Sequence, residues 1–340
     1  MSEAKKCPFI RLIIIGTFED GQSWFVDKGD FRMKSDEAVF SVQILGDNFS
    51  RQFIYHARPL IDNFGLRGEK AVREGVRRYG RERGHALRMQ HLKQGFKINL
   101  NTIFGGHYDL PADPRVDKNT LVLNEQVRRA LVFACPIADV WADMGATEIG
   151  RIYCEEFHHA MWGTYASGAQ INLTQTLTQE GDDRCNFSVY QRPANIESPE
   201  LLAEAFPEYD PDWKEGNVSS SSAKRTAREA YEDLCIRLFH AMDSTALEVL
   251  GSSEEVCGLL SVSAGEMAKD FAAHIIRALL EEEEPVDPVN VARYSPFGTR
   301  EQSVKAWHRY AYEDSRPSFI MEESFFPAFE QTIESAVKDR

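Results

Sequence analysis

Cys154 and His158 stand four residues apart in the stretch TEIGRIYCEEFHHAMWG. On a helix that spacing makes them neighbours on one face. A thiol beside an imidazole can ionise as a thiolate–imidazolium pair, the usual way a cysteine becomes nucleophilic near neutral pH. Phe157 and Met161 share the same arc, so both side chains could equally be packing residues in an apolar wall. Glu155 is a candidate general base or histidine orienter, and His159 and Trp162 are candidate substrate contacts. Cys135 competes for the nucleophile's role. It precedes Pro136, which suits the first position of a helix, so Cys135 becomes an N-cap whose thiolate the helix dipole would favour. If Cys135, Cys154 and Cys185 met with His158 or His159, three thiols and an imidazole would make a zinc-like set. The spacing fits no compact zinc motif, so no cofactor is expected, with a metal such as Zn or Mn as the alternative.

The elements that must position these residues can be read from their punctuation. A helix from Pro136 stops at Gly145, and Thr147 can cap a second helix from Glu148 to about Trp162, closed by Gly163 and Gly168. The run INLTQTLT, a Gly181-Asp182-Asp183 turn and RCNFSVYQ then read as a hairpin, with Cys185 near the start of its second strand. Upstream, Leu121–Val127 and Arg129–Ala134 read as strands leading into Cys135. Residues 67–95 read as a long helix carrying nine Lys and Arg against three Glu. Arg73, Arg77 and Arg81 step along one face of it. Arg77 and Arg81 are candidate carboxylate binders, or simply part of a solvated face. Gly80 and Gly84 share a face and suit close helix packing. Residues 96–118 are rich in Gly, Pro and Asn and read as a loop able to reach over a pocket, with the His107-Tyr108 pair as a candidate lid, or His107 as an ordinary loop histidine.

The ordered set CP, E-x-G-x-x-Y-C, a long strand and G-D-x-x-C-x-F resembles the L-2-amino-thiazoline-4-carboxylic acid hydrolase family over roughly residues 68–191. That family is similar in turn to vinyl-reductase-type small-ligand domains. The resemblance implies an α+β core and hydrolytic opening of a small cyclic amidine or thioimidate bearing a carboxylate. Water with general-base help, or a thiolate giving a covalent adduct, could attack the C=N carbon. An arginine would hold the carboxylate, and a histidine would help the ring heteroatom leave. From a different class, a vinyl-reductase-like binding or regulatory module would hold such a ligand without turning it over.

Around this centre the 340-residue chain suggests two or three units. Residues 1–66 read as β-rich: Phe9–Phe18 and Trp24–Val26 flank an Asp20-Gly21 turn, and Phe40, Val42 and Ile44 alternate with polar residues. The core spans 67–193, and 194–221, rich in Pro, acid and then Ser, reads as a linker. Residues 222–340 read as a helical bundle with capping-box spacings at Ser252/Glu255, Ser263/Glu266 and Thr299/Gln302. The fold class expected is α+β, an antiparallel sheet with packed helices plus a C-terminal all-helical bundle. A net charge of −14 argues against nucleic acid and anionic membranes as partners. Met1–Cys7 is polar and Leu12–Ile15 too short for a leader or a span. Six cysteines in so long a chain suggest free thiols and a cytoplasmic setting. A homodimer is a base-rate expectation.

Overall fold

A computed structural model describes residues 36–215, 218 and 225–338, and the backbone of 14–17 and 23–25. In the first unit, β1 (Ile14–Thr17) and β2 (Ser23–Phe25) pair antiparallel, with Ile14 opposite Phe25. The first strand falls inside the expected Phe9–Phe18, and the second begins one residue before the expected Trp24–Val26. The Asp20-Gly21 turn lies outside the described residues.

Residues 37–340 form the second compact unit. It opens with α1 (Glu37–Phe64), so the strand expected at Phe40–Ile44 is wrong. The alternation there is only five residues long. Over a wider window the buried positions are Phe40, Ile44, Leu45, Phe49, Phe53, Ala57 and Leu60, a helical period. The next helix, α2 (Leu66–Lys93), matches its expected span. After it come α3 (Leu100–Phe104), capped by Asn99, and a hairpin of β3 (Asp117–Leu123) and β4 (Val127–Ala134). Asn124 Oδ1 accepts from the backbone of Gln126 and Val127, so the chain turns there and does not continue as strand.

The segment that carries the cysteines folds much as its punctuation predicts. Cys135 is the N-cap of α4 (Pro136–Asp143), and Gly145, at φ +58°, follows its end. The following helix, α5 (Thr147–Tyr165), has Ala146 at its N-cap, so Thr147 is its first residue and not the expected cap; it passes through Gly163 and ends one turn later than expected. Then β5 (Ala169–Gln175) and β6 (Cys185–Gln191) form the expected hairpin. The sheet order is β3-β4-β6-β5, antiparallel throughout, with α5 against β5. This is the α+β architecture, with an antiparallel sheet and packed helices.

Beyond the sheet, 194–215 is not featureless. It carries α6 (Pro199–Ala205) and lies along residues 97–99, where Ile98 N donates to Glu204 O (2.8 Å) and Asn99 Nδ2 to Ala205 O (3.0 Å). The C-terminal region is helical: α7 (Ala227–Leu250), α8 (Glu254–Glu281), α9 (Pro288–Arg293), α10 (Arg300–Arg309), α11 (Arg316–Ile320) and, after a π turn at Met321–Phe325, α12 (Phe326–Lys338). The Thr299/Gln302 capping box forms. Ser253, one residue beyond the expected Ser252, caps α8. Ser263 caps nothing; it sits inside α8, where its hydroxyl donates to the Tyr55 carbonyl. These helices share one core with the sheet unit, because α7 packs along both α1 and α2. Among the described residues no helix is long and apolar enough to cross a membrane.

The α2–α5 contact positions the site, and two glycines make it close. A Cβ at Gly80 would stand 2.8 Å from Ala160 Cβ and 3.1 Å from Phe157 O. One at Gly84 would run into the Met161 carbonyl oxygen. Alanine gains about 1 kcal/mol in helix propensity, but a backbone oxygen on a packed helix cannot give way. Gly84→Ala should therefore lose roughly 1–3 kcal/mol of stability through overpacking. Urea denaturation should show a lower midpoint at unchanged slope; an unchanged midpoint would mean that α2 and α5 can separate freely.

Candidate functional site

The inner face of the sheet and the facing side of α5 enclose the candidate residues. On β6 the alternation buries Cys185, Phe187, Val189 and Gln191. The register sets Cys185 opposite Val132, Phe187 opposite Ala130 and Val189 opposite Arg128. Strand pleat therefore turns Arg128 inward with Ala130.

At one end of this layer three thiols gather: Cys135 from the start of α4, Cys154 from α5 and Cys185 from β6. All are free. Burial pushes each thiol upward, Cys185 to about 11 and Cys154 further. Each thiol's charge would also oppose its neighbours'. The bond from Thr178 to Cys154 and that from Leu177 N to Cys185 Sγ (3.3 Å) offset this only in part. The expected lowering of Cys135 at its helix N-terminus is reversed. The Ala138 and Ile137 amides do favour its thiolate, but loss of water outweighs them.

His158 does not complete a thiolate–imidazolium pair with Cys154. Its ring instead lies among aromatics, 4.6 Å from Trp162, 4.9 Å from Phe187 and 5.4 Å from Phe157, centroid to centroid. Its Nδ1 is buried with no hydrogen-bond partner. Burial, and then the positive charge of Arg128, push the imidazole down to about 3, so it is neutral at physiological pH. Because the unfolded chain protonates this ring near 6.5 while the folded one does not, stability falls as pH drops from about 6.5 towards 3. His158→Gln should remove a slope on the order of 1–3 kcal/mol between pH 7 and 4. Denaturant titrations of both proteins at each pH check it, and parallel curves would refute it.

Beside His158 lies Arg128, 9% exposed. Its guanidinium carbon stands 4.2 Å from the Phe104 ring centre, 5.5 Å from Trp162 and 5.8 Å from Phe187. Its Nη1 is buried with no partner, and the Trp162 indole nitrogen also lacks a well-formed hydrogen bond. Burial pulls the guanidinium down to about 10; the one other influence on it is Tyr108. Tyr108 belongs to the loop expected to reach over the site, and its hydroxyl donates to Met161 Sδ (3.4 Å).

With this geometry in place, the chain can be set beside known proteins. Residues 48–189 match the sequence model of the L-2-amino-thiazoline-4-carboxylic acid hydrolase family. No curated protein and no solved structure matches the chain. The hydrolase-family match begins in α1, earlier than the resemblance from residue 68, and ends within β6. It takes in the three thiols, His158 and Arg128, and leaves α7–α12 outside.

Within the hydrolase-family segment the other expected residues are dispersed. Arg73 and Arg77 form an ion network with Glu155 and Glu156 across the α2–α5 contact: Arg73 Nη1 is 2.9 Å from Glu155 and 2.8 Å from Glu156, and Arg77 holds Glu156 through two nitrogens. Burial would raise the Glu156 carboxyl, but Arg77 and Arg73 bring it below its ordinary range. Arg77 is thus already neutralised, and Glu155 lies in this network away from the thiols' face. Arg81 and His159 are exposed. His107 is exposed too, its ring 4.4 Å from Phe96. Trp162 packs against His158 and Phe187, ring centres 4.6 and 5.5 Å apart. Among the described residues no group of three or more His, Cys, Asp or Glu side chains is placed to hold a metal ion.

Arg128 was missed in the sequence. The signal for Arg128 was its phase: in VRRALVFA it alternates with Ala130 and Val132 on the inward face. Beginning the strand at Arg129 hid it. Of the His107-Tyr108 pair read as a candidate lid, Tyr108 meets α5 at Met161, whereas His107 is exposed.

Proposed function

We propose that this protein is a hydrolase opening a small carboxylate-bearing heterocycle, of the cyclic amidine or thiazoline type, at a non-peptide C–N bond. The observation that carries the reading is His158: a half-buried, neutral imidazole whose Nδ1 is buried and without a hydrogen-bond partner, inside the segment that matches the hydrolase family. A neutral imidazole can accept a proton from water as the oxygen attacks the C=N carbon. His158 then returns that proton to the ring nitrogen. As the tetrahedral carbon collapses to a carbonyl, His158 carries the remaining hydroxyl proton to that nitrogen as well, so the C–N bond breaks and the nitrogen leaves as a neutral amine. Substrate plus one water equals product, with no proton left over.

The raised thiols favour attack by water over attack by Cys154. In this reading the three cysteines shape the wall beside His158 and stay protonated. Aromatic walls alone would suit a binding module; the polar pair His158 and Arg128 within them favours turnover. Incubating the protein with a panel of cyclic amidines, thiazolines and lactams bearing a carboxylate should yield, for at least one, a product heavier by one water. Binding across the panel with no turnover would replace the enzyme by a ligand-binding module.

A further inference from the structure

We infer that Arg128 is the receptor for an anionic group of a small ligand, a carboxylate monoanion seated between β4, α3 and α5. The inference deepens the hydrolase reading by locating the substrate's carboxylate, but anion binding does not depend on turnover.

Two buried arginines in the same layer make the case by contrast. Arg83, 2% exposed, is also surrounded by aromatics: its guanidinium carbon lies 5.2 Å from Tyr108 and 5.1 Å from Phe157, ring centre in each case. It has the partner such burial demands, Asp109, held through two bonds of 2.7 Å. Arg128 has comparable aromatic neighbours and no acid among the described residues. A buried charge without a counter-ion is costly, and chains keep one where a ligand supplies the missing partner. The Phe104 ring centre lies 4.2 Å from the guanidinium carbon and offers no acceptor, so the N–H groups are left to grip a carboxylate, which a guanidinium does with two parallel bonds. Among those nitrogens, Nη1 is buried and without a partner.

Charge balance selects the class of anion. His158 is neutral, and Arg128 carries one positive charge. A monoanion brings the buried site to neutrality, whereas a phosphate dianion would leave a net negative charge out of water. Arg77 and Arg81, expected from sequence to serve this role, cannot: one is bound to Glu156 and Glu74, and the other lies on the surface. Seating the anion also changes His158. Burial, and second to it the Arg128 charge, keep the imidazole deprotonated; the anion offsets that charge, so the ring becomes a better base once a ligand is bound.

The test uses the full chain and two planar probes of one shape, 2-aminothiazole-4-carboxylate and 2-aminothiazole-4-carboxamide. The ring is aromatic and resists hydrolysis, so calorimetric titration reads binding alone. The carboxylate should bind at least 100-fold more tightly than the carboxamide, and Arg128→Gln should abolish that preference. Arg128→Lys, which keeps the charge but loses the fork, should retain part of it. Inorganic phosphate should not compete at millimolar concentration. Equal binding of the two probes, binding of neither, displacement by phosphate or an undiminished preference in Arg128→Gln would each overturn the assignment. If Arg128→Gln does not fold, the wild-type preference and its competition by acetate still decide. A discriminating protein that hydrolyses no thiazoline would sink the hydrolase reading and leave the anion site standing.

Discussion

His158→Ala should lower turnover by about 10²- to 10⁴-fold, the usual worth of a positioned acid–base group, while Cys154→Ser should stay within a few-fold of wild type. The expectation follows from the protonation states in the layer between α5 and the sheet. Cys154 is a half-buried thiol hydrogen-bonded with Thr178, and its pKa is raised by loss of water and by two neighbouring thiols. A nucleophilic cysteine needs the opposite setting, a positive neighbour or an open helix N-terminus. His158 keeps an unpartnered nitrogen beside Arg128. Serine at 154 can keep the bond with Thr178, so its melting temperature should move little. Loss of turnover by orders of magnitude in Cys154→Ser, with His158→Ala unaffected, would restore covalent catalysis. Cys135→Ser serves as the second control: an inactive but folded variant would transfer the role to the start of α4. Turnover is to be measured on whichever ring compound gains one water, with thermal melts showing that each variant is folded.

Asp109→Ala should be among the most destabilising single substitutions in this protein, costing about 3–5 kcal/mol. The carboxylate's two bonds to Arg83 are 2.7 Å each, and Arg83 is 2% exposed on α2. Removing the acid leaves a guanidinium among Tyr79, Tyr108 and Phe157 with no counter-ion and no route to water. Asp109→Asn should cost less, because its amide oxygen still accepts one bond. Replacing both partners, Arg83→Met with Asp109→Leu, should recover much of the loss, since removing a buried pair together is far cheaper than breaking it. Denaturant midpoints of the single and double variants form a cycle that isolates the pair. A loss under about 1 kcal/mol for Asp109→Ala would show that Arg83 finds solvent. Asp109 adjoins Tyr108, so its removal should also disorder the loop over the site and weaken ligand binding.

Several elements were legible in the sequence because they are determined within a few residues. Pro136 behind Cys135, glycine at 145, the glycine-led turn at 181 and the Thr299/Gln302 box all act through hydrogen bonds or backbone angles that neighbours decide. The same locality explains why α2 and the β5–β6 hairpin were read correctly, and why the glycine pair at 80 and 84 announced a close helix contact. Where the local signal was short it misled. Five alternating residues, Phe40 to Ile44, looked like strand, yet four-residue spacing through Leu60 makes them the start of a 28-residue helix. Ser263 has the spacing of a cap but sits in mid-helix, because spacing carries no information on where a helix begins.

Tertiary structure decided the chemistry. Whether Cys135 ionises depends on two opposed effects, a local dipole and a non-local loss of water; only the first is written near the residue, and the second wins. Arg77 looked free on its helix face because Glu156, which binds it, lies 79 positions away in the chain. Arg83 and Arg128 look alike in sequence, but only the first meets an acid, brought to it by a loop 26 residues on. Charge pairing and desolvation are set by contacts that chain order does not reveal, so the sequence could nominate arginines and cysteines, and only their burial together could assign them work.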